Sequence, residues 1–276
     1  MKRYLLSAGI LAGFLGFVPL ASAVTTSINS GSLGSAADGV NSNTVVLGVS
    51  GPLAASGDTA ASYTGGANTV VPFQPALNPS TTSPFTVEFW SNPSASDNDD
   101  AAVSNRTHSG NRTGWVFFQR DAVTGWNFRM YNGASGNTAW DITGGTAVIG
   151  AWTHVVAVYD GTSPKLYVNG VSVGSATGPG GYNVSISPTN FSIGAHDTGA
   201  SPYAGALDET AIYGTALTPA QILAHYNAAS SVTPGAYSSL VTGDGALLYL
   251  ANVPEPTSAG LALLGVAGMM ARRRRL

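Results

Sequence analysis

Along the middle of the chain apolar and polar residues alternate in short runs broken by Gly, Asn, Asp and Ser, the period of half-buried strands. Phe85-Thr86-Val87-Glu88-Phe89-Trp90 puts Phe85, Val87 and Phe89 on one face. Trp115 to Arg120 and Trp126 to Tyr131 are aromatic-rich runs around a Gly-containing turn, predicting neighbouring strands. Trp152 to Tyr159 is β-branched enough for a buried central strand, closed by the turn Asp160-Gly161. Lys165 to Val168 and Val171 to Val173 flank Asn169-Gly170, the dipeptide that best tolerates two successive positive φ angles, which predicts a type I′ hairpin. Further strands are expected at Asn190 to Gly194 and Ala206 to Tyr213. One helix is expected: Thr218 as N-cap, Pro219 at its first position, Gln221 completing a capping box, and Ile222, Leu223 and Tyr226 as its apolar stripe. The fold class read from this pattern is all-β, with one short C-terminal helix.

The two ends have a different grammar. Lys2 and Arg3, an apolar run from Leu5 to Leu20, and Ala21-Ser22-Ala23 read as a signal peptide over residues 1–23. At the other end Val253-Pro254-Glu255-Pro256 precedes an uncharged stretch, Thr257 to Ala271, and the cluster Arg272-Arg273-Arg274-Arg275. As a helix this stretch reaches about 22 Å at 1.5 Å per residue, a short span for a hydrocarbon core of about 30 Å. The arginines hold their end in the cytoplasm. Residues 24–40 and 229–252, rich in Ser, Gly, Thr and Ala, read as a spacer and a linker around a domain at 41–228.

Composition narrows the function. Between residues 24 and 252 five basic side chains face thirteen acidic ones, a formal charge of −8, which argues against a nucleic-acid partner. There is no cysteine, so disulfides, thiolate metal sites and a Cys nucleophile are excluded.

Val253, Pro254, Glu255, Pro256 and the terminal arginines resemble the PEP-CTERM sorting tail of Gram-negative surface proteins. That resemblance implies recognition by a membrane-embedded exosortase, transient residence in the inner membrane through the tail helix, and release to the cell surface or the extracellular space. The segments from Pro84 to Trp90, Trp152 to Gly161, Lys165 to Gly170, Ile193-Gly194, Gly205 to Tyr213 and the Thr218-Pro219 helix resemble, in that order, the LamG-like family. This resemblance implies a concanavalin A-like jelly roll, a two-sheet antiparallel sandwich with one concave face and loops at the rim where ligands or calcium bind.

Among candidate chemistries, glycoside hydrolysis needs two carboxyl groups flanking one sugar bond. The body has only Glu88 and Glu209, and strict strand alternation sends Asp208 and Glu209 to opposite faces. The four histidines lack metal spacing, and His154 reads as structural. Ca²⁺ is the inorganic candidate, at Asp97 and Asp99 in an acidic loop, or at Asp208. Asp208 matches a position that, with a residue such as Asp58, holds calcium in the jelly rolls this chain resembles. Trp126 and Trp140, flanked by Gly- and Asn-rich turns, are the candidates for stacking on sugar rings at a rim or concave face. The sequence thus predicts an exported, non-enzymatic surface or matrix module for carbohydrate or another extracellular polymer. A glycan-cleaving enzyme and a purely structural coat protein are its rivals.

Overall fold

The computed structural model describes residues 25–251 except 43, 56, 96–98, 108–109, 122–124, 135–137 and 184–188. The expected signal peptide, the tail helix and the motif residues Val253 to Pro256 and Arg272 to Arg275 lie outside the described residues. Among the described residues no helix is long and apolar enough to cross a membrane.

The strands, in chain order, are β1 Thr26–Ser27, β2 Gly39–Asn41, β3 Val46–Ser50, β4 Thr59–Tyr63, β5 Thr69–Val71, β6 Phe85–Pro93, β7 Asp100–Arg106 and β8 Thr113–Gln119. Then come β9 Trp126–Asn132, β10 Thr138–Gly144, β11 Thr153–Tyr159, β12 Pro164–Val168, β13 Val171–Val173, β14 Phe191–Ile193, β15 Gly205–Tyr213 and β16 Ala246–Leu250. Helices α1 (Pro219–Ala228) and α2 (Ala236–Gly243) fall between β15 and β16. Two antiparallel sheets form. The first runs β1-β2-β5-β14-β7-β8-β9-β10, the second β13-β12-β11-β6-β15-β4-β3, with β16 also paired to β15.

Alternation explains the layers. Phe85, Val87 and Phe89 point between the sheets with Trp115, Phe117, Phe128, Val155 and Leu207. Their neighbours on the same strands, Trp90, Val156 and Tyr213, point outward into a second core covered by Ile222 of α1 and by Tyr237 and Val241 of α2. The predicted hairpin forms with φ of 51° at Asn169 and 77° at Gly170, the two positive values a type I′ turn needs. The capping box of α1 also forms: Gln221 N–H donates to Thr218 Oγ1, and Thr218 N–H donates to Gln221 Oε1.

Two expected boundaries are corrected. The spacer 24–40 contributes β1 and the start of β2 to the first sheet, and the linker 229–252 contains α2 and β16. Richness in Ser, Gly, Thr and Ala made both stretches look like spacers. Backbone pairing does not depend on side-chain size, however, and Leu248 and Leu250 of β16 are buried in the main core.

Candidate functional site

The site is built at a break in the pairing of β15. On one edge Gly205–Leu207 pairs with β4, whereas Thr210–Tyr213 pairs with β16, leaving Asp208 and Glu209 in the gap. On the other edge Asp208 lies opposite Trp90 and Ala211 opposite Glu88, so β15 carries one residue more than β6. That extra residue is a bulge, with Glu209 in the left-handed region at φ 51°. The bulge cancels the alternation that would have separated Asp208 from Glu209. Their carboxylates instead meet that of Asp58, just before β4, with ligand oxygens within 4.8 Å of one another. The sequence paired Asp58 with Asp208; Glu209 was missed because a bulge is set by tertiary pairing and leaves no mark in the residue pattern.

The cluster is enclosed. Asp208 is fully buried and Glu209 nearly so. Leu53 N–H donates to Asp58 Oδ2 at 2.8 Å, and the Tyr249 hydroxyl donates to Glu209 Oε2. Gly51 passes so close that a Cβ there would collide with the Asp58 carboxylate and lie 2.9 Å from Asp208 Oδ2. Burial, followed by the charge of Asp58 and of Glu88, pushes the Glu209 carboxyl up to about 8, and burial also raises Asp58. Carboxylates gathered this way need protons or a cation. Hard oxygens spaced this closely suit an ion that takes oxygen ligands at about 2.3 to 2.6 Å, so the residues fit Ca²⁺.

Two pockets flank the segment that carries Asp58. One, of about 440 Å³, is lined by Leu53, Ala55, Asp58, Glu209, Tyr237 and Tyr249. The other, of about 490 Å³, is lined by Pro52, Ala54, Trp90, Trp152, Tyr226 and Asn227. Ala54 N–H donates to Ala229 O at 2.7 Å, tying the segment to the end of α1. Alternate residues of one segment, 52–55, therefore wall an acidic pocket and an aromatic one.

The remaining sequence candidates lie elsewhere. Trp126, expected at a rim, is fully buried and edge-on to Phe89 with centroids 5.6 Å apart, so it is core. Its Gly and Asn neighbours reflect tight turns rather than exposure. Trp140 is half-buried against the main core, with Gly180 against its ring. The half-buried tryptophan beside a pocket is Trp152, which the sequence had placed in the core. Asp97 lies outside the described residues. Asp99 is held by Arg120 and does not join the carboxylate cluster.

A second buried carboxylate lies under the helices. Glu88 is completely enclosed, with His225 Nδ1 at 3.1 and 3.0 Å from its two oxygens, His154 Nε2 at 3.3 Å, and the Tyr213 hydroxyl donating at 2.5 Å. The other nitrogen of His225, Nε2, is 2.9 Å from Asp244 Oδ2. Both ring nitrogens thus face carboxylates, and only the imidazolium can donate to both. Burial would lower the His225 pKa, but Glu88 and Asp244 raise it above the ordinary imidazole value. Burial would raise Glu88, but His154 and His225 hold it down at about 2.

Residues 64–223, more than half of the chain, match the concanavalin A-like lectin/glucanases superfamily, and the chain belongs to it. Residues 252–275 match the PEP-CTERM protein-sorting motif, which marks an exported, membrane-anchored precursor sorted to the cell surface. No curated protein matches the chain. Among solved structures, it is similar to the binding domain of Paraclostridial Mosquitocidal Protein 1 (17% identity, TM-score 0.50, 73% of this chain and 52% of that one). It is also similar to a putative carbohydrate binding protein from Bacteroides ovatus (19%, 0.47, 70% and 50%). A third is domain 4 of AbnA, an extracellular arabinanase from Geobacillus stearothermophilus, in complex with arabinotriose (21%, 0.44, 72% and 97%). The chain spans about half the length of the first two. The family match gives the fold, and the superfamily is one of lectins and glucanases both, so activity has to be argued from the site.

Proposed function

We propose that this protein is an exported, non-catalytic surface module that binds carbohydrate or another extracellular polymer, with calcium held by Asp58, Asp208 and Glu209. The observation that carries this reading is the shared wall: one segment, residues 51–58, supplies a ligand to the carboxylate cluster and a side of the aromatic pocket. An ion that fixes Asp58 fixes Pro52 and Ala54 as well, so cation occupancy and the shape of the aromatic pocket are coupled. Trp152 and Tyr226 offer flat apolar faces to a sugar ring, with Asn227 beside them for its hydroxyls. Glu88 is enclosed beneath two helices and cannot flank a glycosidic bond, and Glu209, 2% exposed at the wall of the acidic pocket, belongs to the cluster that this reading assigns to a cation. The exosortase and secretion machinery are the partners the sorting motif supplies, with the inner membrane engaged transiently through the tail.

The test is polysaccharide binding by the full chain in neutral detergent, with calcium or with EDTA. Calcium-dependent binding, weakened about tenfold or more in Trp152→Ala, is the expected result. Release of new reducing ends from any bound polysaccharide would overturn the non-catalytic assignment.

A further inference from the structure

Away from that site, the basic side chains of the body are unevenly distributed. Arg106, Arg112, Arg120 and Arg129 are four of the five basic residues between 24 and 252, and all belong to β7, β9 or the segments flanking β8. They converge on two rings on the outer face of the first sheet. The Arg120, Arg106 and Arg129 guanidiniums lie 5.1, 5.8 and 5.9 Å from the centroid of Phe118, and Arg106 and Arg112 lie 5.4 and 5.9 Å from that of Tyr131. The fifth basic residue, Lys165, is exposed on the opposite sheet.

Arg129 is paired with Asp141 at 2.6 Å, and Arg120 with Asp99. Arg106 is different. It is 6% exposed, its guanidinium donates to the Tyr131 hydroxyl at 3.0 Å and lies 2.7 Å from His196 Nε2, and among the described residues no carboxylate forms an ion pair with it. Its Nε is buried without an acceptor. Burying a guanidinium with a spare donor and like charges around it is costly unless an anion completes the set. Burial, and then the charges of Arg112 and Arg129, pull Arg106 below the ordinary guanidinium value. Arg120 and Arg129 keep 17% and 25% of their side-chain surface exposed, so the cluster can be reached from solvent.

We infer that this arginine cluster is an oxyanion-binding site, and that the polymer the module takes is an acidic polysaccharide bearing carboxylate or sulfate groups. The inference rests on the glycan-binding reading above and names its ligand class. Planar guanidinium forks match either oxyanion. Nucleic acid is disfavoured because the arginines already cover the Phe118 and Tyr131 rings on which bases would stack, and because the body is acidic overall.

The experiment measures binding of the full chain, in neutral detergent with calcium and again with EDTA, to polygalacturonate, dextran sulfate, neutral dextran and single-stranded DNA. The inference expects acidic saccharides to bind in a salt-sensitive way, with about a tenfold loss in Arg120→Gln and no change in Lys165→Gln. Preference between the two acidic polymers tells carboxylate from sulfate, and either one supports the inference. Should Arg129→Gln unfold the protein, Arg129→Gln/Asp141→Asn removes the pair without stranding a carboxylate and is expected to lose binding too. Dextran or DNA bound as tightly as the acidic saccharides, or Arg120→Gln binding like the unmodified chain, would overturn it. If neutral glycans bind and acidic ones do not, this inference alone fails; if no saccharide binds under any condition, the glycan-binding reading fails with it.

Discussion

Glu88 and Glu209 are the two glutamates of the folded body, both buried in the second sheet, yet they ionise in opposite directions. Glu88 sits between His154, His225 and Tyr213 and is held at about 2; Glu209 sits with Asp58 and Asp208 and is pushed to about 8. The same side chain at nearly the same depth is thus a finished ionic knot in one place and an open demand for positive charge in the other. Burial by itself does not mark a functional carboxylate. What separates the two is whether the protein supplies the countercharge itself.

Breaking the finished side should have the larger effect. Glu88→Ala strands His225 and His154 beneath the helices, and urea unfolding should show a loss of about 3 to 5 kcal/mol, the cost of removing one partner from a buried charge network. Acid gives the next largest effect. The folded pKa of Glu88 lies below its unfolded value, so its contribution is present above about 4.5 and is lost as pH falls toward 2, on the order of 3 kcal/mol.

Glu209 has the opposite sign. Its folded pKa lies above the unfolded one, so in EDTA stability should decline as pH rises from 4.5 to 8, the window in which the folded cluster must give up a proton. His225, also raised, adds a loss above its folded pKa that calcium leaves untouched. At pH 8 calcium at a hundredfold excess over its Kd should restore about 2.7 kcal/mol, read as a Tm rise absent in Asp208→Asn. The smallest effect is expected from Thr218→Ala. It uncaps the helix that carries His225, and should cost about 1 kcal/mol without altering the calcium response.

Where local chemistry decides structure, the sequence could be read. Asn169-Gly170, the Thr218 capping box and the alternation of β6 all form as expected. Where pairing partners decide, it could not: β1 and β2 are too short to show a period, and β16 lies in a stretch whose Ser, Gly, Thr and Ala content resembles a spacer. The candidate site divides the same way. Asp58 and Asp208 were in view, but Glu209 joins them only because β15 changes partner and bulges there. Trp126 misled because tight turns next to a strand look alike whether the strand's side chain points to solvent or inward.

The last strand, β16, ends at Leu250, and the sorting motif begins at residue 252. A single residue, Ala251, separates a core strand from the segment that an anchor or processing enzyme must grip. Cleavage upstream of the motif would unravel β16, which sets Leu248 and Leu250 in the main core, so processing has to fall within or beyond the motif if the sandwich is to stay whole.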